Sequence, residues 1–239
     1  MWSSARSEAA LEALLPLPIE ILPMRRARRM RLRLDEAKGR LKLTCPYRTS
    51  RRTALAWAVE QSEWLDRQLS QLGPVTLFEP GSLIPVDGCE RRIDWDPARP
   101  RRVTLESDYI RCGGPSEGLA SRVGSFLKRY ALDTMSREVA EFAAVAGVSA
   151  RSVHVGDASS RWGSCSSQGR IRLSWRLILA PPHVRRFVVA HEVAHLRHLD
   201  HGADFKALEA ALVGSMLAAA RADLRRLGPG LRRIGRGTG

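Results

Sequence analysis

Apolar and polar residues alternate along Met30-Arg31-Leu32-Arg33-Leu34 and again along Leu41-Lys42-Leu43-Thr44-Cys45. A period of two puts successive side chains on opposite faces of a strand. The two segments therefore predict a β-hairpin with one buried and one basic face, joined through residues 35–40. Over 53–72 the spacing changes, and Leu55, Val59, Trp64, Leu65 and Leu69 recur at near-helical intervals until Gly73-Pro74 stops the helix. Short strands are expected at 75–78, 91–95, 101–106 and 109–112, punctuated by proline and glycine.

Beyond Gly113-Gly114-Pro115 the pattern turns mostly helical. Residues 116–146 predict one long helix, with Ser116 or Ser121 as N-cap and Gly147 as its stop. Strands are expected at 152–155 and 170–175, on either side of Arg161-Trp162-Gly163-Ser164-Cys165. Pro181-Pro182 opens a helix running to about residue 199, and a further helix covers 203–227. This order predicts an α+β fold: a β-rich amino-terminal region with one helix, then a core with a small sheet and a chemistry-bearing helix. The expected divisions are a flexible extension at 1–16, the β-rich region at 17–114, the core at 115–227 and a flexible basic tail at 228–239.

The chemistry lies in His191-Glu192-Val193-Ala194-His195. Residues four apart share a helix face, so both imidazoles can meet one metal ion, while Glu192, one step round, reaches a water on that ion. Neutral imidazole suits zinc, and three protein ligands with one open position define a hydrolytic site. The expected roles are zinc binding by the histidines and activation of the zinc-bound water by Glu192. A third ligand must come from elsewhere. His201, bracketed by Asp200 and Gly202 where the helix should end, is favoured over His198, because a rigid helix does not readily close a tetrahedron from 191, 195 and 198. The competing structural explanation, a buried helix face carrying two histidines and a glutamate with no ligand, bears a steep desolvation cost.

Composition narrows the picture. At 239 residues and 44% hydrophobic, the chain can bury a sizeable core. No apolar run approaches the roughly 18 residues of a membrane span. The start lacks the layout of a secretory signal, and Cys45, Cys89, Cys112 and Cys165 have no metal-ligand spacing, so a cytoplasmic protein with reduced thiols is expected. The formal charge of +14, with only four lysines among 39 basic residues, would attract polyanions. It equally matches an arginine-rich composition without function. The Arg25-Arg26-Ala27-Arg28-Arg29 run reads as a contact for nucleic acid or as a charged strand edge. No phosphate-binding glycine template or nucleophile elbow occurs.

Arg161 to Cys165, Gly169-Arg170-Ile171-Arg172-Leu173, Pro181, residues 188–196, His201 and Phe205 together resemble the YgjP-like metallopeptidase family, related to the SprT-like and WLM zinc peptidases. The likeness extends to the basic hairpin, Pro46 and the helix bearing Trp64, so it spans most of 19–210. It implies a zincin-like core, one Zn2+ per chain on His191, His195 and His201, and Glu192 as catalytic base. The substrate expected is a peptide or protein; the alternative is a DNA-associated protease whose basic surface binds nucleic acid. Gly202 and Lys206 stand where the family commonly has serine and tryptophan, and Asp200 replaces an asparagine. Asp200 is a candidate acceptor for a ligand imidazole. Arg161, Trp162 and Gly163 form a candidate substrate cleft, with Gly163 leaving room for a substrate backbone and Arg161 a candidate oxyanion partner; alternatively Trp162 and Cys165 are core. His154 and His183 are expected to be structural.

Overall fold

A computed structural model describes residues 7–35, 39–70, 75–158 and 161–236. The chain forms two compact units, Met1–Gly73 and Pro74–Gly239.

In the first unit a short helix α1 (Glu8–Glu12) precedes strands β1 (Ile19–Met24), β2 (Arg31–Asp35) and β3 (Arg40–Pro46). The expected hairpin is present as the antiparallel pair β2–β3, with Leu32 opposite Leu43, and β1 joins β3 in parallel. Leu41, Leu43 and Cys45 point inward and are fully buried. On the other face Arg40 and Lys42 meet Glu20 at 3.1 and 3.7 Å. The single helix expected over 53–72 is two, α2 (Arg51–Glu60), capped by Ser50, and α3 (Ser62–Ser70). The proposed stop at Gly73-Pro74 lies outside the described residues. Leu11 of α1 joins the core with Ala54, Leu55 and Leu65, so residues 8–12 are an ordered part of the unit.

The second unit begins with a sheet of order β4-β5-β7-β6: β4 (Leu83–Val86), β5 (Cys89–Asp96), β6 (Thr104–Leu105) and β7 (Tyr109–Gly113). Helix α4 (Leu119–Ala146) leads to a second sheet of order β8-β10-β9, built from β8 (Ser152–Gly156), β9 (Gly163–Cys165) and β10 (Arg170–Ser174). Helices α5 (Pro182–Ala194), α6 (Ala203–Val213) and α7 (Leu217–Leu231) follow. One continuous core joins Ile84, Val86, Ile93 and Ile110 of the first sheet to Leu127 and Met135 of α4 and Val188 of α5. The composition shift at 113–115 thus marks a turn inside a core rather than the boundary expected there. Arg185 of α5 explains the locking: it pairs with Glu138 of α4 at 2.9 Å and with Asp87 in the β4–β5 turn.

Other differences have local causes. Residue Thr76 makes one bridge, to Ile234, in place of the strand expected at 75–78. Helix α4 starts after Gly118, at φ 77°, rather than at a serine cap, and ends at Gly147 as predicted. The helix expected over 203–227 divides at Gly214, whose φ of 67° breaks the helical run. The segment expected to be a mobile tail from 228 continues α7 and is held by Arg176. That side chain is 2% exposed and donates to the carbonyls of Leu231 (3.2 Å) and Ile234 and to Asp157 (2.8 Å). Residues 237–239 lie outside the described part.

Candidate metal centre

Helix α5 is apolar on its inner face, through Val184, Val188, Val189 and Val193, and this burial fixes the direction in which its polar residues emerge. His191 and Glu192 lie in its last turn, and His195 is its C-cap. The helix stops here rather than near 199. The His195 Nδ1–H donates to the His198 carbonyl at 3.0 Å, the chain turns, and His201 returns just before α6. One ring nitrogen from each of His191, His195 and His201 lies within 4.8 Å of the other two, and the Nε2 atoms of His191 and His201 are 3.4 Å apart. Two nitrogens on one tetrahedral zinc, at bonds of ~2.05 Å, are separated by ~3.3–3.4 Å, so this edge fits the ion.

The donor set fits as well. His191 Nδ1 faces Glu209 Oε1 at 2.8 Å, so with Nδ1–H donated there its Nε2 lone pair is free for a metal. His195 is oriented in the same way by the His198 carbonyl. Burial, and then the neighbouring His191 and His201, push the His195 imidazole below its ordinary value, favouring the neutral form that ligates. Phe205, 1% exposed, closes one side of the cluster, its ring centroid 4.5, 4.7 and 5.0 Å from those of His195, His201 and His191.

Glu192 is 4% exposed, and its Oε2 is buried without a hydrogen-bond partner among the described residues. Burial pushes its carboxyl up to about 7, against the opposing pull of Arg161. Gly163 of β9 lies directly over it: a Cβ there would sit 2.7 Å from Glu192 Cγ and 2.8 Å from Cδ. The missing side chain at 163 therefore makes room for Glu192, where space for a substrate backbone had been expected. The Cys165 thiol, two residues on, is pushed up to about 11 by burial and by the Glu192 charge, which keeps it protonated and poorly nucleophilic.

The remaining candidates separate clearly. His198 contributes its carbonyl and not its ring. Asp200 Oδ1 accepts the Gly202 N–H at 3.2 Å, so the part of imidazole acceptor falls to Glu209, which the sequence reading missed. Glu209 is fully buried on an apolar stretch of α6 and is also bound by Arg221. A lone acid within Ala207-Leu208-Glu209-Ala210-Ala211-Leu212 was the available signal. Trp162 is half-buried against the core, backed by Gly228 and stacked by Arg232 at 4.3 Å, while Arg161 is exposed. His154 bonds Ser152 (3.2 Å) and His183 bonds Asp223 (2.8 Å), both away from the cluster.

A helix-borne histidine pair with an intervening buried glutamate, a third imidazole from the following loop and an adjoining edge strand define a metallopeptidase-type centre on an α+β scaffold. The chain belongs to the YgjP-like metallopeptidase family: the family's domain model matches residues 28–226. Among curated proteins and solved structures, none matches the chain. No described helix is long and apolar enough to cross a membrane.

Proposed function

We propose that the chain is a zinc-dependent peptidase in which His191, His195 and His201 hold one Zn2+ and Glu192 is the catalytic base. The observation that carries this reading is the Glu192 carboxylate: buried, without a partner at Oε2 among the described residues, and next in the helix to His191 of three converging imidazoles. An unpaired buried carboxylate is costly, and it is retained where its proton affinity is used. When bound, zinc supplies a Lewis acid that polarises a carbonyl and brings the pKa of water toward ~7. Glu192, with its carboxyl raised to about 7, is matched to take a proton from the attacking water at Oε2 and pass it to the departing amine near neutral pH. Strand β9 is the edge of its sheet, so its free backbone groups can pair with an extended peptide. Arg161 is the candidate cation for the developing oxyanion.

The test is Glu192→Gln. Metal analysis should still find one zinc per chain, while cleavage of an unfolded protein falls by ~10²–10⁴-fold. Turnover retained at the wild-type level would reject Glu192 as base.

A second reading, nucleic-acid binding by the amino-terminal unit, is favoured by an open cavity of ≈ 820 Å³ lined by Arg28, Arg29, Arg48 and Trp57. Guanidinium groups beside a half-buried aromatic ring suit phosphates and stacked bases. DNA binding that weakens steeply with salt supports it; no binding at low salt dismisses it.

A further inference from the structure

The sheet β8-β10-β9 carries a cavity of ≈ 510 Å³ whose lining includes Arg161, Ser164, Arg172 and Ser174. Neither Arg161 nor Arg172 has an ion-pair or hydrogen-bond partner among the described residues. The carboxylate in the lining, Asp157, is already taken by Arg176 at 2.8 Å and Arg236 at 3.1 Å. Two guanidinium groups of the cavity are therefore left without an ion-pair partner among the described residues, the Arg161 charge acting at longer range on Glu192. Ser174, also in the lining, is 2% exposed, and its hydroxyl has no hydrogen-bond partner among the described residues.

Strand register relates this cavity to the proposed reaction site. Ser164 stands opposite Arg172, so both side chains share one face of the sheet. Gly163 stands opposite Leu173, which is buried on the other face, where Glu192 fills the space beside Gly163. A peptide paired with the free edge of β9 alternates its side chains between these faces. If one residue lies over Glu192, its neighbours project toward Ser164 and Arg172.

From this arrangement we infer that the cavity is a carboxylate subsite, and that the enzyme selects peptides with Asp or Glu next to the residue at the scissile bond. The inference rests on the peptidase reading, from which it takes the placement of the substrate strand. Guanidinium groups match a carboxylate in a bidentate geometry, and a serine hydroxyl supplies a further donor.

The experiment compares matched peptides carrying Glu, Gln or Lys at that position. Cleavage is measured with the zinc-loaded full chain, and binding with labelled peptides by fluorescence anisotropy on the Glu192→Gln protein. Glu is expected to exceed Gln by about 10-fold in kcat/KM and in affinity at low salt, with the margin shrinking as salt rises. Arg172→Glu should reverse the order so that Lys exceeds Glu; Arg172→Gln, a milder change at the same exposed position, should abolish the margin. Cleavage with no preference among the three peptides, together with equal binding, overturns the subsite and leaves the peptidase standing. Preferential binding of Glu peptides with no cleavage by wild type overturns the peptidase reading and leaves an anion-selective peptide site.

Discussion

Glu209 offers the sharpest test of how the histidine cluster is held. Its two carboxylate oxygens serve two donors, His191 Nδ1 at 2.8 Å and the guanidinium of Arg221, and the residue is fully buried. Glu209→Gln keeps the volume but leaves one acceptor and one donor. In either amide orientation one of the partners faces an N–H. Arg221 is 44% exposed and can turn toward solvent, so the fold should survive with the amide oxygen kept for His191. What is lost is the negative charge of the carboxylate that accepts from His191 Nδ1 and holds the ring in place. Loss of such a partner typically costs 10–100-fold in metal affinity, equivalent to ~1.4–2.7 kcal/mol. Zinc affinity is measured by competition with a chromogenic chelator, alongside the thermal midpoint of the zinc-free protein. The expected result is a 10–100-fold weaker Kd with little change in the zinc-free midpoint. A Kd within twofold of wild type would show that Glu209 is a buried structural acid with no hold on the metal.

The other predictions concern neighbouring parts of the same unit. His201→Ala should weaken zinc retention far more than His198→Ala, since only the first ring reaches the cluster; dialysis followed by metal analysis decides, and the reverse order would identify a different third ligand. Gly163→Ala would put a carbon 2.7–2.8 Å from Glu192 Cγ and Cδ, against the ~3.5–4.0 Å of ordinary carbon contacts. Glu192 must then shift by about 1 Å, so turnover should drop ~10²-fold with zinc content unchanged, and equal kcat would refute the contact. For Asp157, burial raises the carboxyl, but the Arg176 hydrogen bond and the charges of Arg176 and Arg236 outweigh this and hold it below its ordinary value of 3.8. Its stabilising effect is therefore complete above that value and lost as pH falls through the lower folded-state value. Denaturant midpoints should show Asp157→Asn less stable than wild type at pH 6, with the gap closing below about pH 4; a gap independent of pH would refute the ionic origin.

What could be read from the chain, and what could not, follows from how far apart the interacting residues lie. The histidine pair at 191 and 195 was legible because helical period alone brings i and i+4 to one face. The β2–β3 hairpin was legible because its two alternating segments are neighbours in sequence. His201 was reachable through Asp200 and Gly202, which signal a chain reversal after the helix. Glu209 was not, because its approach to His191 depends on how α6 packs beside α5, and no local pattern encodes that angle. The parallel pairing of β1 with β3 escaped notice for the same reason.

The grouping of residues 83–113 with the second unit was hidden in another way. Their strands look like a continuation of the β-rich start, and glycine and proline at 113–115 resemble a linker. The decisive interaction joins residues 98 positions apart, Asp87 and Arg185. Because Arg185 also holds Glu138, and stands on the same helix as His191 and Glu192, that ion-pair network ties the first sheet to the element that bears the metal centre. Breaking one partner of such a buried pair leaves an uncompensated charge. The sheet of residues 83–113 is therefore part of the support that orients α5, and with it the imidazoles and Glu192, even though it contributes no group to the site.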